Sequence, residues 1–415
     1  MKSYETCILA NGLRVIVHPC KAQVVYCGLA VAAGSRHERP GEEGLAHFCE
    51  HLSFKGTARR SALQLINAIE GVGGELNAFT NKEDTVFYCA IKRQHLRRAV
   101  DVLCDMVFNS TYPQAEVEKE REVVCDEIES YEDSPSELIF DEIENILYKG
   151  HALGHNILGT AEQVRQYTGE DARRFTRKHY LPSNCVFFAS GDVEMARLVK
   201  EIERGCSEGS ENSENSENSE NTERSENSEN SEGSSPIIRE RGTHQAHVVV
   251  ATRTFGADDP RRWPLLLLNN ILGGPGMNSR LNIALREKRG LVYTVESSMA
   301  TYSDTGLWTI YFGCDPDDTE RCLRLVRNEL TRVMAHPLSA TQLTAAKRQL
   351  EGQLAIAADS REQFTLDFTK TFLHKDIVRD LDDIMQHINT LTAADLQLTA
   401  QQLFAPERMT TLIYH

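Results

Sequence analysis

Gly44-Leu45-Ala46-His47-Phe48-Cys49-Glu50-His51-Leu52 is the stretch from which the rest of the chain is read. Positions four apart on a helix stand on one face, so His47 and His51 can offer two imidazoles to one ion, with Glu50 one residue before the second. This reverses the commoner His-Glu-x-x-His order and is an inverted zinc spacing. A catalytic zinc site needs three protein donors and one open position, and a carboxylate serves as the third.

That third donor has to come from elsewhere. Glu116-Val117-Glu118-Lys119-Glu120-Arg121-Glu122-Val123-Val124-Cys125-Asp126-Glu127-Ile128-Glu129-Ser130-Tyr131 supplies a candidate. Read as a helix, it aligns Val117, Val124, Ile128 and Tyr131 as an apolar stripe, with Glu120 and Glu127 on the stripe and Glu122 and Glu129 off it. Desolvating an unpaired carboxylate is costly, so a glutamate facing a core needs a partner. A zinc ion is one; a solvated glutamate-rich helix is the plainer alternative.

Further out, 415 residues suit two domains of roughly 200 residues each. Residues 207–235 repeat Ser-Glu-Asn, a composition that cannot bury enough surface to offset its ordering entropy. The expected division is an N-terminal zinc-binding domain over 1–205, a low-complexity linker over 206–236 and a C-terminal domain over 237–415. The two halves follow one plan. In the first, Asn11-Gly12 sets a hairpin in Leu9 to Val17, and Val24 to Ala33 reads as a strand. Residues 43–55 and 61–70 read as helices, Leu76 to Ile91 as a hairpin, and Leu96, Val100, Leu103 and Val107 as one helix face. In the second come a strand from Ala246 to Thr252 and helical stretches at Pro264 to Leu272 and Ser279 to Arg289. A hairpin of Val292 to Ala300 and Leu307 to Phe312 and a helix near 319–334 follow. Each half closes on a helical segment leading into an apolar strand, ending at Phe188 and at Leu412. The expected fold class is α+β: two homologous α/β-sandwich domains, each a mostly antiparallel sheet with helices packed on it.

Composition narrows the function. The chain is 40% apolar and 26% charged, as soluble proteins are, and has no apolar run near the roughly 20 residues that span a bilayer. The N-terminus lacks a secretion signal, so a cytoplasmic location without membrane association is expected. Eleven cysteines without repeated spacing read as buried thiols rather than a disulfide framework. A net charge of −16 argues against nucleic acid as partner. Half of it is local: residues 206–236 hold nine glutamates against Arg224, nine less one giving −8.

The segment Ala33 to Thr57 contains Gly34-Ser35-Arg36-His37-Glu38, the histidine pair, and Phe54-Lys55-Gly56-Thr57. It resembles the inverzincin metallopeptidases, the family of pitrilysin, insulin-degrading enzyme and mitochondrial processing peptidase. The resemblance continues through Gly73-Gly74-Glu75-Leu76-Asn77-Ala78-Phe79-Thr80, Leu158-Gly159-Thr160 and Leu285-Arg286-Glu287-Lys288-Arg289-Gly290-Leu291-Val292-Tyr293. It implies one zinc per chain, held by His47, His51 and Glu127, with Glu50 taking the proton of the attacking water. It also implies that Glu120 is a further site glutamate, that Asn77 contacts substrate backbone, and that Arg286 and Tyr293 hold substrate and stabilise the tetrahedral intermediate.

The activity implied is that of a zinc-dependent endopeptidase acting on peptides or unfolded segments inside a chamber formed by two lobes. This chain is one lobe long and carries both residue sets, so a homodimer with composite active sites is expected. Two alternatives stay open: a non-catalytic structural or substrate-presenting subunit, and a specific presequence-processing peptidase. Plainer residue readings stay open too. Glu120, some 10 Å along a helix from Glu127, orients a ligand or is an ordinary ion-pair glutamate. Asn77 binds an added strand or stabilises a turn. Arg286 and Tyr293 converge on substrate or are surface and packing residues. Cys49 reads as a small buried hydrophobe, and His37, His95 and His179 show no ligand spacing.

Overall fold

A computed structural model describes residues 4–207, 235–378 and 380–415. From 208 to 234 the expected linker lies outside the described residues. Strands β1 (Glu5–Ile8), β2 (Arg14–Pro19), β3 (Val24–Val31), β4 (Glu75–Thr80), β5 (Thr85–Lys92) and β6 (Cys185–Gly191) form a sheet in the order β1-β2-β6-β3-β5-β4. Strands β7 (Ile237–Arg239), β8 (Ala246–Phe255), β9 (Val292–Thr301), β10 (Thr305–Cys314) and β11 (Thr410–Tyr414) form a second, in the order β7-β11-β8-β10-β9. Each sheet has one parallel pair, β2 with β6 and β7 with β11, in an otherwise antiparallel ladder. Apart from β1, the second order repeats the first position by position, so the plan seen twice in the sequence is a duplicated sheet topology. The Asn11-Gly12 turn works through Gly12 at φ 85° and through Asn11 Oδ1, which accepts from Leu13 N at 3.1 Å.

The helices of the first half are α1 (Leu45–Ser53), α2 (Ala62–Glu70), α3 (Leu96–Phe108), α4 (Gln114–Glu132), α5 (Pro135–Leu147), α6 (Ala161–Val164), α7 (Gly169–His179) and α8 (Met195–Ser207). Those of the second are α9 (Arg262–Gly273), α10 (Thr319–Ala335), α11 (Ala340–Ala357), α12 (Arg361–Lys375), α13 (Leu381–Thr390) and α14 (Ala393–Leu403). Between α9 and β9, where a helix over 279–289 is expected, Asn282–Glu287 winds as a π-helix. It is closed by Gly290 at φ 61°, whose N–H donates to Arg286 O at 2.7 Å.

The compact units are not the contiguous halves. One comprises Met1–Ser130, His155–Ser225 and Ala357–Asp380; the other comprises Tyr131–Gly154, Glu226–Ile356 and Leu381–His415. The reason lies in the strands, which are apolar on both faces. Val15, Val17, Leu29, Phe87 and Phe187 face a core shared with α1, α2, α3 and α7. Their alternates Ile16, Ala30, Val86, Val186 and Phe188 face Phe368, Phe372 and Leu373 of α12. In the other unit Val248, Val250, Ile310 and Phe312 face α9, α10 and α14, while Val249, Ala251 and Leu412 face Leu138, Ile139 and Ile143 of α5. Burying each such side chain is worth about 1.5–3 kcal/mol, and the local helices cover only one face of each sheet. The second face is closed by a helix from the other half of the chain.

Candidate metal centre

The centre is built on α1. Leu45, Ala46, Phe48, Cys49 and Leu52 are fully buried, and this apolar arc turns His47, Glu50 and His51 to the opposite side. The start of the helix is held from outside. Glu38 Oε1 accepts from Ala46 N at 2.7 Å and Oε2 from Gly44 N at 3.0 Å, satisfying amides that a helix N-terminus leaves open. His155 Nε2 lies 2.9 Å from Glu38 Oε2, and burial pushes the Glu38 carboxyl upward against these bonds. Leu158-Gly159 braces the same turn by backbone contact. A Cβ on Gly159 (φ +70°) would stand 2.1 Å from Glu43 O, and one on Gly44 (φ +92°) 2.5 Å from Leu158 O, so both positions require glycine.

Helix α4 brings the carboxylates. Val117, Val124 and Ile128 are buried as expected, but the two glutamates differ. Glu120 is 4% exposed, whereas the Glu127 side chain is 44% exposed, which corrects the reading of Glu127 as core-facing. It turns to two imidazoles instead of the apolar stripe, on a side open to solvent. Glu127 Oε2 lies 3.4 Å from His51 Nε2 and Oε1 3.9 Å from His47 Nε2. Glu120 Oε1 accepts from His51 Nδ1 at 2.9 Å, and its Oε2 pairs with Lys55 Nζ at 2.6 Å. Glu50 is 7% exposed, and its Oε2 accepts from Thr80 Oγ1 at 2.8 Å.

Among the described residues, His47, His51 and Glu127 are the one group whose donor atoms could share a metal ion, all within 4.8 Å of one another. The donor set fits zinc: two imidazole nitrogens and a carboxylate oxygen. Burial, with the neighbouring His51, lowers His47 to about 4, leaving a neutral ring with a lone pair to give. Hydrogen bonds to Glu120 and Glu127 outweigh burial at His51 and raise it to about 9. The bond from His51 holds Glu127 below the usual carboxylate range. Bonds from His51 and Lys55 do the same for Glu120 against burial. Burial raises the Glu50 carboxyl.

Asn77 is exposed on β4, which among the described residues is an edge strand paired with β5 alone and ends at Thr80, the residue that holds Glu50. Arg286 is exposed in the π-helix and Tyr293, 60% exposed, is the second residue of β9, with its hydroxyl 3.3 Å from Asp315 Oδ1. Both belong to the other compact unit. Cys49 is buried with Sγ 3.8 Å from Ala172 O, turned from the histidines. Sequence reasoning gave no role to Glu38, Lys55, Thr80 or His155, although the first three lie inside segments quoted for the family resemblance.

The topological counterpart of α1 is α9, Arg262-Trp263-Pro264-Leu265-Leu266-Leu267-Leu268-Asn269-Asn270-Ile271-Leu272-Gly273, which carries neither histidine nor carboxylate. The family matches of the two halves carry the same asymmetry. Residues 14–161 match the family described as Insulinase (Peptidase family M16). Residues 166–350, which contain none of the three donors, match the Peptidase M16 inactive domain. An uncharacterized zinc protease of Streptomyces coelicolor is 34% identical over 397 residues, 95% of this chain and 86% of that protein. One of Bacillus subtilis is 31% identical over 406 residues, 97% and 96% of the two chains. The fold is that of a protease from Helicobacter pylori, with TM-score 0.91 at 21% identity over 100% of both chains. With identity running nearly end to end and a duplicated fold that carries its metal donors in one copy, the chain belongs to peptidase family M16.

Proposed function

We propose that this chain is a zinc metalloendopeptidase in which His47, His51 and Glu127 hold the metal and Glu50 moves the proton. The observation that supports it most is the convergence of three donor atoms within 4.8 Å with Glu50 on the same side of α1. Zinc bound there would supply a Lewis acid able to polarise a carbonyl and a water molecule. Glu50 takes the proton of the attacking water and passes it to the leaving amine. Thr80 holds one Glu50 oxygen and leaves the other to the water. Glu120 fixes the ring of His51 through Nδ1, so that Nε2 is the donor turned to Glu127.

Substrate binding is proposed at the free edge of β4. An extended peptide adding there pairs main chain with main chain, a mode tolerant of sequence that admits peptides and unfolded segments, with Asn77 contributing its amide. Arg286 and Tyr293, exposed and lightly tethered, are proposed to hold the substrate and the developing oxyanion within a two-lobed chamber of a cytoplasmic homodimer.

Metal analysis with cleavage of a mixed peptide pool tests the reading. Wild type and Glu50→Gln should each carry about one zinc per chain, and the variant should lose at least about 100-fold in turnover. Near wild-type cleavage by Glu50→Gln would remove Glu50 from its role, and full activity after chelation would remove zinc.

A further inference from the structure

Two elements meet at the proposed base. Helix α1 carries Glu50, and the end of β4 carries Thr80, whose hydroxyl holds Glu50 Oε2. The spacing of these elements is fixed a second time, away from the metal donors. The single turn Ser35–His37 is stitched to the loop after β4. Ser35 N donates to Asn81 O at 3.2 Å and Arg36 N to Lys82 O at 2.8 Å, and the Arg36 guanidinium pairs with Glu83 at 2.7 Å. Glu38 follows that turn directly and reaches the other way, accepting from the Gly44 and Ala46 amides. It is the cap that α1 lacks, since the N-cap of α1 is a glycine and its first turn holds no carboxylate. Glu38 is therefore a strut between the loop after β4 and the start of α1.

The strut depends on one more residue. The Glu38 side chain is fully buried, and a buried carboxylate needs donors on its free lone pairs to hold one orientation. His155 supplies the third, after the two amides. Its Nε2 faces two acceptors, Glu38 Oε2 at 2.9 Å and Ser35 O at 3.1 Å, which places the hydrogen on that nitrogen and joins Glu38 to the turn before it. The carbonyl oxygen of His155 accepts in turn from the buried Lys82 ammonium, so the residue is itself anchored to the loop after β4. Among the described residues none of its bonds is to a metal donor or to Glu50.

We propose that His155 is a positioning residue for peptide hydrolysis: through Glu38 it sets α1 against the end of β4, and with them the aim of Glu50 at the attacking water. The proposal rests on the reading of Glu50 as the base. Misplacing a reacting group by about 1 Å costs on the order of 100-fold in rate. The substrate edge of β4 at Asn77 is held by its ladder to β5 and not by His155, so the loss falls on turnover and not on substrate binding.

Peptide cleavage, zinc content and amide hydrogen exchange are measured on the full chain for His155→Ala, Glu38→Gln and the double variant. His155→Ala should keep about one zinc per chain and lower kcat about 10–100-fold with KM within about twofold. Exchange of the Gly44 and Ala46 amides should speed up at least about tenfold. Because His155 acts through Glu38, the double variant should lose no more than the worse single one. His155→Gln, whose amide reaches the place of Nε2, should recover most of kcat, and His155→Asn, whose amide falls short of it, should not. That pair also carries the test if His155→Ala folds poorly. Equal kcat in the Gln and Asn variants, losses that multiply in the double variant, or faster exchange at Gly44 and Ala46 with kcat unchanged would each overturn the proposal. Exchange is read without cleavage, so a failure of the peptidase reading, seen as full activity in Glu50→Gln or after chelation, stays distinct from a failure of His155 to position α1.

Discussion

His51 stands between two carboxylates with different tasks. Its Nε2 faces Glu127 at 3.4 Å and its Nδ1 gives its hydrogen to Glu120 at 2.9 Å. Removing the charge of Glu120 weakens the hold on the ring and leaves Lys55, which Glu120 also pairs at 2.6 Å, without its carboxylate. Glu120→Gln should therefore lower zinc affinity by about 10–100-fold, read by competition with a chromogenic chelator. Retention of wild-type affinity would reduce Glu120 to an ion-pair residue. At this scale the sequence was most legible where geometry is local: the shared face of His47 and His51 follows from the period of one helix. Glu38 with His155, 117 residues apart, and Thr80 with Glu50, 30 apart, were not readable, because each partner is delivered by a different element. Glu127 stands on the stripe of α4 and is the third ligand that the family resemblance implies, but its exposure depends on where α4 meets α1, which no stripe on α4 alone reveals.

Helix α12 shows what a single element owes to distant sequence. Phe368, Phe372 and Leu373 cover the second face of the first sheet, and polar bonds fasten the helix to the strands. Tyr88 donates to Glu362 at 2.8 Å, Arg14 reaches Leu373 O at 3.0 Å, and Asp84 Oδ2 lies 3.3 Å from His374 Nε2 and 3.4 Å from Lys370 Nζ. Burial alone would raise the Asp84 carboxyl, but His374, Lys370 and Asn81 together hold it below its ordinary value. A carboxylate depressed on folding gives stability that is complete above the unfolded pKa of about 3.9 and is lost as pH falls through the folded value. Asp84→Asn should thus destabilise the chain by about 3 kcal/mol at pH 7, and its deficit against wild type should shrink as pH falls below about 4. Urea unfolding at the two pH values measures both, and a deficit independent of pH would mean that packing, not charge, is lost. Strands and hairpins were legible because short apolar runs rich in β-branched and aromatic residues, and the Asn11-Gly12 turn, are written locally. The exchange of α5 and α12 was not, since an apolar helix stripe names no particular sheet.

For the molecule as a whole, the residue sets implied by the family resemblance are divided between two compact units of one chain. His47, Glu50, His51 and Glu127 are in one, and Arg286 and Tyr293, both exposed, in the other. Duplication explains the division: the copy containing α9 has no donors of its own and is free to contribute substrate contacts. If two copies face each other across a two-fold axis, the metal-bearing unit of each can meet the Arg286 and Tyr293 of its partner, giving two equivalent sites. The test mixes two inactive proteins, Glu50→Gln and the double variant Arg286→Ala with Tyr293→Phe, under conditions where subunits exchange. Random exchange makes half of the dimers hybrid. In each hybrid one site combines both lesions and the other combines neither, so activity should return to roughly a quarter of wild type. Each parent alone stays inactive, so any recovered cleavage reports a site assembled from two chains. Absence of recovery, with exchange shown by mass-labelled subunits, would mean that each site is completed within a single chain.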